Sequence, residues 1–316
     1  MPLRAAAALA TTIVLWGSAF AAIRAALPHF GAAHLSVLRL LVAAVALAVV
    51  GVLRGVRLPA RRDLPALTGI ALAGMAAYQL LLNGGEETVP AGTAALLVNL
   101  SPVFTAIAAG AFLGEVMTRR RWAGVAIACA GSCLIALAGN GGIALERGAL
   151  LVLGAAVAQA VFFVAQKPLL RRYSSLEVTT WAMALGALMT LPLAPGLPAA
   201  VASAPAGALI AVAFLGLGAS AVGFVAWAYA GARVDVSLAA ATLYAVPVVA
   251  FAVAWAWLGE TPRPVTVLGG AIALAGVALA TRRQPLRGRP KPRSISSAFS
   301  PSVPARGSTP RATAAP

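Results

Sequence analysis

The sequence predicts an all-α membrane protein with about ten transmembrane helices, arranged as two inverted five-helix repeats around a central cavity. Three observations support this fold class: a composition too apolar for a water-soluble surface, ten apolar runs of membrane-spanning length, and a segment that recurs later in the chain. Of the 316 residues, 61% are hydrophobic and 10% are charged, and the mean hydropathy is +0.91. Soluble domains carry roughly a quarter charged residues, so lipid must surround much of this chain.

The apolar runs have the length that a bilayer requires. Crossing a hydrocarbon core of about 30 Å takes about 20 residues of helix. Ten runs meet this requirement, near residues 5–23, 34–53, 64–83, 91–113, 122–139, 148–166, 175–194, 206–229, 236–258 and 264–281. The first run could pass for a signal peptide, but further apolar runs follow it, so we interpret it as the first helix. Cys129 and Cys133 share one face of the fifth run and are interpreted as packing residues.

The basic residues indicate how the helices are oriented. With the N-terminus inside, the predicted inside segments hold 20 of the 24 Lys and Arg residues, the outside segments hold three, and Arg39 lies within a helix. Cytoplasmic loops carry such an excess of positive charge, so both termini are predicted to face the cytoplasm, at an inner membrane. Because the net charge of +16 lies in short clusters between apolar runs, it favours a membrane protein over a nucleic-acid-binding one.

A segment of the first half recurs in the second half at a constant separation of 145 residues. The recurring pairs are Pro102-Val103 with Pro247-Val248, Leu113-Gly114-Glu115 with Leu258-Gly259-Glu260, Gly124 with Gly269, and Gly131 with Gly276. Each copy holds five helices, an odd number, so the second copy enters the membrane from the opposite side. Such inverted repeats are typical of secondary transporters. We therefore predict one repeat at 1–145, a second at 146–282, and a disordered basic cytoplasmic tail at 283–316.

The sequence resembles the EamA-type carriers of the drug/metabolite transporter superfamily over residues 5–282. The resemblance is carried by Trp16-Gly17-Ser18, by Arg39 in LSVLRLLVAA, and by the segments SPVFTAIAAGAFLGE and AVPVVAFAVAWAWLGE. It implies ten helices around a central cavity, and export or exchange of amino acids or other small metabolites. Trp16-Gly17-Ser18 has no counterpart in the second half, where Val161-Phe162-Phe163 stands, so we expect the two halves to contribute unequally to the site.

Polar side chains inside a bilayer are costly, so those that remain tend to face a cavity or a partner. Ten residues are candidates for substrate binding: Trp16, Ser18, Arg39, Tyr78, Asn99, Ser101, Pro102, Gln159, Tyr244 and Pro247. Arg39 could bind a substrate carboxylate or line an outer vestibule, or it could extend toward the interface instead. Trp16 could form a wall of the cavity or only pack, and Gln159 could bond a solute or another helix. Pro102 and Pro247 are expected to kink their helices, which could line a cavity or only bend the chain.

The acidic residues fall in loops or at helix ends, and none is expected at the membrane midplane. We therefore expect uniport or exchange, or coupling through a helix-end residue such as Glu86 or Glu87. Glu115 and Glu260 each follow the end of a helix, where a carboxylate opposes the helix dipole. Each is therefore expected to have a compensating partner or to cap the next helix. Trp227 is interpreted as an interfacial belt residue.

Other functions fit the sequence less well. An enzyme is not expected, because the apolar runs show no nucleophile with a base, no acid pair and no set of metal ligands. A non-transporting membrane scaffold or receptor is the main alternative, and a passive channel is a variant of the transporter. The expected partners are a small-molecule solute and membrane lipid, with no nucleic acid, cofactor or metal. A homodimer is kept as a hypothesis.

Overall fold

The computed structural model describes residues 2–113, 119–137, 147–234, 239, 242–261 and 263–281, and helices make up nearly all of them. No strand occurs in these ranges. The all-helical part of the predicted fold class is therefore confirmed. Glu115 and the predicted tail at 283–316 lie outside the described residues.

Thirteen α-helices occur in the described part of the chain. In chain order they are α1 (Leu3–Arg54), α2 (Leu64–Ala71), α3 (Tyr78–Glu86), α4 (Ala91–Val98), α5 (Ser101–Leu113), α6 (Arg119–Leu137), α7 (Arg147–Ala165), α8 (Ser175–Thr190), α9 (Leu197–Ser203), α10 (Ala206–Ala213), α11 (Gly223–Gly231), α12 (Val246–Leu258) and α13 (Pro264–Thr281). Two π-helical segments, Leu72–Ala77 and Phe214–Val222, join α2 to α3 and α10 to α11.

Five helical stretches of the described chain are long and apolar enough to cross a membrane. They are Leu3–Arg54, Arg61–Glu86, Arg147–Arg171, Ser175–Leu193 and Ala206–Gly231. Shorter apolar helices include α12, of 13 residues. Because a helix of about 20 apolar residues spans the hydrocarbon core, these stretches agree with the predicted membrane class.

The longest helix, α1, is interrupted at a single residue. Gly31 has φ 63° and ψ 171°, a conformation that glycine adopts without steric cost, and the helix kinks there. The backbone N–H of Ala32, which follows, donates to Oε1 of Glu87 at 3.0 Å. The predicted gap between helices at residues 24–33 is therefore wrong. The chain is helical up to Phe30, because the Ala and Leu residues of this stretch favour a helix.

The helix predicted over 91–113 is divided in two. Helix α4 ends at Val98 and α5 begins at Ser101, so Pro102 is the second residue of a new helix. A proline there loses no helical hydrogen bond, because the first N–H groups of a helix have no partner within it. The expected kink within one helix at Pro102 is therefore wrong.

A second break lies at the equivalent place in the other half. A 3₁₀ turn, Leu243–Ala245, precedes α12, and Pro247 is the second residue of that helix. The expected kink at Pro247 is therefore wrong for the same reason. The side-chain amide of Asn99 donates to the carbonyl of Leu243 at 3.2 Å. The two breaks in the helices therefore contact each other in the interior.

Helices α6 and α13 approach closely through glycines. A β-carbon added at Gly131 would lie 2.6 Å from the carbonyl oxygen of Gly269, and one added at Gly276 would lie 2.7 Å from that of Gly124. Both separations are too short for a side chain, so glycine is required at both positions. These four residues are the recurring glycines of the sequence, in which Gly269 is the copy of Gly124 and Gly276 is the copy of Gly131. Gly131 therefore contacts the copy of Gly124, and Gly124 contacts the copy of Gly131.

Candidate functional site

Two adjoining small cavities lie between helices from both halves of the chain. The larger has a volume of about 20 Å³ and the smaller about 10 Å³, and Trp16 and Tyr78 line both. Solute pockets in proteins usually measure about 300–1,000 Å³, so each cavity has room for a water molecule and not for a metabolite.

Six of the ten candidate residues line these cavities. Trp16, Tyr78, Asn99, Pro102 and Gln159 line the larger cavity, and Arg39 lines the smaller one.

The other four candidates lie elsewhere. Ser101 and Pro247 are buried beside the helix breaks and are not among the lining residues of either cavity. Ser18 is half-buried on α1. Tyr244 lies in the turn Leu243–Ala245, and its side chain is outside what the structure describes.

Trp16 is fixed by the second π segment. Its indole Nε1–H donates to the carbonyl of Ala219 at 3.0 Å. Gly223 makes room for the ring, because a β-carbon there would lie 2.7 Å from the indole nitrogen. Segments of π-helix occur frequently at functional sites.

Trp16 forms a cluster with four other aromatic residues. This aromatic cluster consists of Trp16, Phe162, Phe163, Phe224 and Trp227. The ring centroid of Trp16 lies 5.0 Å from that of Phe224 and 5.7 Å from that of Trp227, and Phe163 stacks on Trp227 at 4.4 Å. The interpretation of Trp227 as a belt residue is wrong, since its side chain is only 2% exposed. Phe162 and Phe163 occupy the positions of the second half that are equivalent to Trp-Gly-Ser in the first half. They supply aromatic rings to the same cluster.

Arg39 is buried inside the helix bundle and is 2% exposed. Its Nε–H donates to the hydroxyl of Ser220 at 2.8 Å, whereas Nη1 has no hydrogen-bond partner among the described residues. The guanidinium therefore does not extend toward the interface. The sequence reasoning missed Ser220, although a lone serine in the apolar run at 206–229 was a signal that could have identified it.

Three further buried polar residues follow one another along α3. Gln79, Asn83 and Glu86 are spaced i, i+4 and i+7, so they share one face of the helix, and we call them the polar stripe. All three are 0% exposed. Asn83 Nδ2 donates to the hydroxyl of Ser36 at 2.8 Å. The prediction that Glu86 lies at a helix end is confirmed, but the sequence did not indicate that it is buried.

Arg24 makes polar contacts at the C-terminal end of α3. Its Nη1 donates to the main-chain carbonyls of Glu86 and Glu87 at 2.6 and 3.0 Å, and its Nε lies 3.6 Å from Oε1 of Glu260. Oε2 of Glu260 accepts from the N–H of Ala91, the first residue of α4, at 3.1 Å. The expected compensating partner of Glu260 is therefore confirmed. Its carboxylate caps α4, however, and not the next helix in the chain.

At the C-terminal end of α1, the connection after Arg54 contacts the connection between α7 and α8. Asp63 pairs with Arg172 and accepts from the Tyr173 hydroxyl at 2.6 Å. Nε of Arg57 lies 2.8 Å from Oε1 of Glu177, and this hydrogen bond raises the pKa of Arg57. Polar contacts between connections therefore occur at both ends of the bundle.

The sequence of this chain is similar to those of known membrane transporters. The model of the EamA-like transporter family matches residues 3–137 and 146–282. A probable terminal-alkyne amino-acid exporter from Streptantibioticus cattleyicolor is 49% identical over 87% of this chain and 93% of its own. The uncharacterized transporter YdfC of Bacillus subtilis is 35% identical over 84% of this chain and 87% of its own.

Two more distant matches add to this comparison. The uncharacterized inner membrane transporter YedA of Escherichia coli is 31% identical over 42% of this chain and 44% of its own. A solved crystal structure matches with a TM-score of 0.63 at 22% identity, over 88% of this chain and 95% of its own. The likeness to that structure shows the shared fold alone.

Proposed function

We propose that this chain exports amino acids. It belongs to the EamA-like transporter family and is therefore a membrane transporter and not an enzyme. The solute is an amino acid with an apolar side chain, or a close relative of one. It crosses by alternating access, in which the two halves of the chain open the site to one side of the membrane and then to the other.

The observation that carries this proposal is the position of Arg39 beside the aromatic cluster. Arg39 lines a cavity together with Trp16 and keeps an N–H group without a hydrogen-bond partner among the described residues. A guanidinium is well suited to bind a carboxylate. The rings around Trp16 provide an apolar surface next to it. An amino acid presents both groups, and the relative from Streptantibioticus cattleyicolor is named for a solute of this kind, with a slender apolar alkyne.

The proposed architecture is two inverted five-helix repeats, at 1–145 and 146–282. The family model supports this division because it matches residues 3–137 and 146–282. The π segment Leu72–Ala77, shifted by 145 residues, lies inside Phe214–Val222. The reciprocal glycine contacts between α6 and α13 are what a two-fold axis between the repeats would produce.

The membrane and the orientation are also part of the proposal. We place the protein in the inner membrane with both termini in the cytoplasm, which agrees with the distribution of basic residues and with the name of YedA. The Arg24 end of the bundle then faces outward and the Asp63 end faces the cytoplasm. We assign this structure, in which the two described cavities are small, to an occluded step of the transport cycle.

A ligand-binding measurement with a substitution at Arg39 tests this site. L-propargylglycine, an amino acid with a terminal alkyne, is expected to stabilise the detergent-solubilised protein, by about 2.7 kcal/mol at a hundred times its Kd. Its methyl ester is expected to have little effect, because it lacks the carboxylate. The Arg39→Gln variant is expected to lose the response to the amino acid.

The matched control is Arg62→Gln, which removes an exposed arginine and is expected to respond like the wild type. Equal stabilisation by the methyl ester, or an unchanged response of Arg39→Gln, would show that Arg39 does not bind the carboxylate. A folded protein that responds to no amino acid would favour the scaffold or receptor alternative.

A further inference from the structure

The polar stripe on α3 contains buried groups that the proposed carboxylate site does not use. Nine buried side-chain polar atoms in the described residues lack a hydrogen-bond partner, and six of them belong to Arg39, Gln79, Asn83 and Glu86. Buried polar atoms are nearly always hydrogen-bonded, so their concentration here indicates a place prepared for a ligand. The unpaired atoms include both carboxylate oxygens of Glu86, Oδ1 of Asn83 and Oε1 of Gln79.

The stripe begins one residue after a cavity-lining residue and ends at the end of α3. Tyr78 lines both cavities, Gln79 follows it in the chain, and Glu86 is the last residue of α3. The separation of seven residues between Gln79 and Glu86 corresponds to about 10 Å of helix. Glu87, the next residue, is exposed, so Glu86 lies just beneath the surface at this end.

The unpaired atoms have complementary chemistry. Arg39 offers a donor, Nη1, and the stripe offers four acceptor atoms on Gln79, Asn83 and Glu86 together with one donor, Nε2 of Gln79. The charges of Arg39 and Glu86 interact electrostatically, yet no direct hydrogen bond joins the two side chains. A zwitterionic amino acid would pair with both charged groups, because its carboxylate accepts from Arg39 and its ammonium group donates to Glu86.

The other charged groups near Glu86 already have partners or lie at a distance from it. Arg24 and Glu260 contact each other, and Glu87 accepts from the N–H of Ala32. His29 on α1 is exposed, and the ring of His34 bonds the carbonyl of Pro195. Helices α4 and α7, which also pack against α3, contain one charged residue, Arg147 at the start of α7.

We infer that Glu86 binds either the ammonium group of the solute or a proton, and that this competition couples export to proton entry. The inference rests on the proposed function. On the outer side, a proton from water forms an O–H bond with one carboxylate oxygen of Glu86, and the neutral acid releases the ammonium group. On the cytoplasmic side, that proton returns to water and the restored carboxylate binds the ammonium group of the next solute. One proton enters for each zwitterion that leaves. A carboxylate buried in this way is costly to leave ionised without a partner, so it holds one cation or the other.

Transport into proteoliposomes with an acidic lumen tests the coupling. The wild-type protein is expected to accumulate L-propargylglycine above the external concentration, because protons leaving the lumen drive the solute inward. The Glu86→Gln variant cannot be protonated and is expected to lose this accumulation. Glu86→Asp keeps the titratable group and is expected to retain a response to the gradient. The matched control is Glu87→Gln, whose amide oxygen can still accept from Ala32, and it is expected to accumulate the solute like the wild type.

A binding measurement supplies a readout that does not depend on a variant. Since a proton and the ammonium group compete for Glu86, the affinity of the wild-type protein for L-propargylglycine is expected to fall by up to about tenfold per pH unit as the solution is acidified. The affinity for the carboxylic acid analogue without the amino group is expected not to fall on acidification, because this analogue does not compete with the proton for Glu86.

The outcomes separate this inference from the proposed function. Exchange of labelled for unlabelled solute, with no net accumulation driven by a pH gradient, would overturn the proton coupling and leave the exporter intact. Accumulation that requires a sodium gradient, or accumulation by Glu86→Gln equal to that of the wild type, would also overturn it. No exchange of any amino acid would overturn both.

Discussion

Replacing Trp16 with alanine is expected to abolish amino-acid transport and to destabilise the protein by about 3 kcal/mol. The indole packs against Phe224 and Trp227, donates to the carbonyl of Ala219, and lines both cavities. Its removal leaves a void in the aromatic cluster and takes away the proposed apolar surface for the solute. The measurement is uptake into proteoliposomes together with thermal unfolding of the purified variant.

Two further variants separate these effects. Trp16→Phe keeps a ring in the cluster but removes the indole N–H, so it is expected to cost about 1 kcal/mol and to retain partial transport. Trp255→Ala removes a tryptophan that is 65% exposed on α12, and it is expected to behave like the wild type. Full transport by Trp16→Ala would place the solute pathway elsewhere in the bundle.

Replacing Gly131 with leucine is expected to prevent stable folding, with a cost of about 3 kcal/mol or more. A β-carbon added at Gly131 would already lie too close to the carbonyl oxygen of Gly269, and the larger leucine side chain would separate α6 from α13. Under the proposed two-fold symmetry, Gly276→Leu is expected to have an effect of similar size. The yield of monodisperse protein after detergent extraction and its thermal unfolding measure both effects.

The control for this pair is Gly69→Leu, because a β-carbon at Gly69 would meet no atom within 4 Å. That variant is expected to fold with nearly wild-type stability. A severe effect of Gly131→Leu beside a mild effect of Gly276→Leu would contradict the symmetric packing.

The membrane class and several cavity-lining residues could be predicted from the sequence alone. Membrane-spanning helices follow from hydropathy, because a bilayer excludes charged residues and requires a minimum helix length. Arg39, Asn99 and Gln159 stood out for the same reason, since polar groups remain in apolar runs only where they have a use. All three line the cavities.

The aromatic cluster could not be predicted from the sequence. In a helix that is apolar all round, the sequence does not indicate which face meets protein and which meets lipid, so Phe163 was not assigned to a face and Trp227 was assigned to the membrane interface. The break between α4 and α5 was missed because Pro102 fits equally well as a kink or as the start of a helix. The burial of Glu86 depends on the packing of α1 and α7 around α3, which no local pattern records.

We propose that this chain carries amino acids through a site between its two halves, and a counterflow experiment tests this proposal. Proteoliposomes are loaded with unlabelled L-propargylglycine and diluted into a trace of the labelled compound, with no ion gradient. We expect a transient accumulation of label that is absent in empty liposomes and in liposomes containing Arg39→Gln. A folded, reconstituted wild-type protein that gives no accumulation with this or any other amino acid would contradict it.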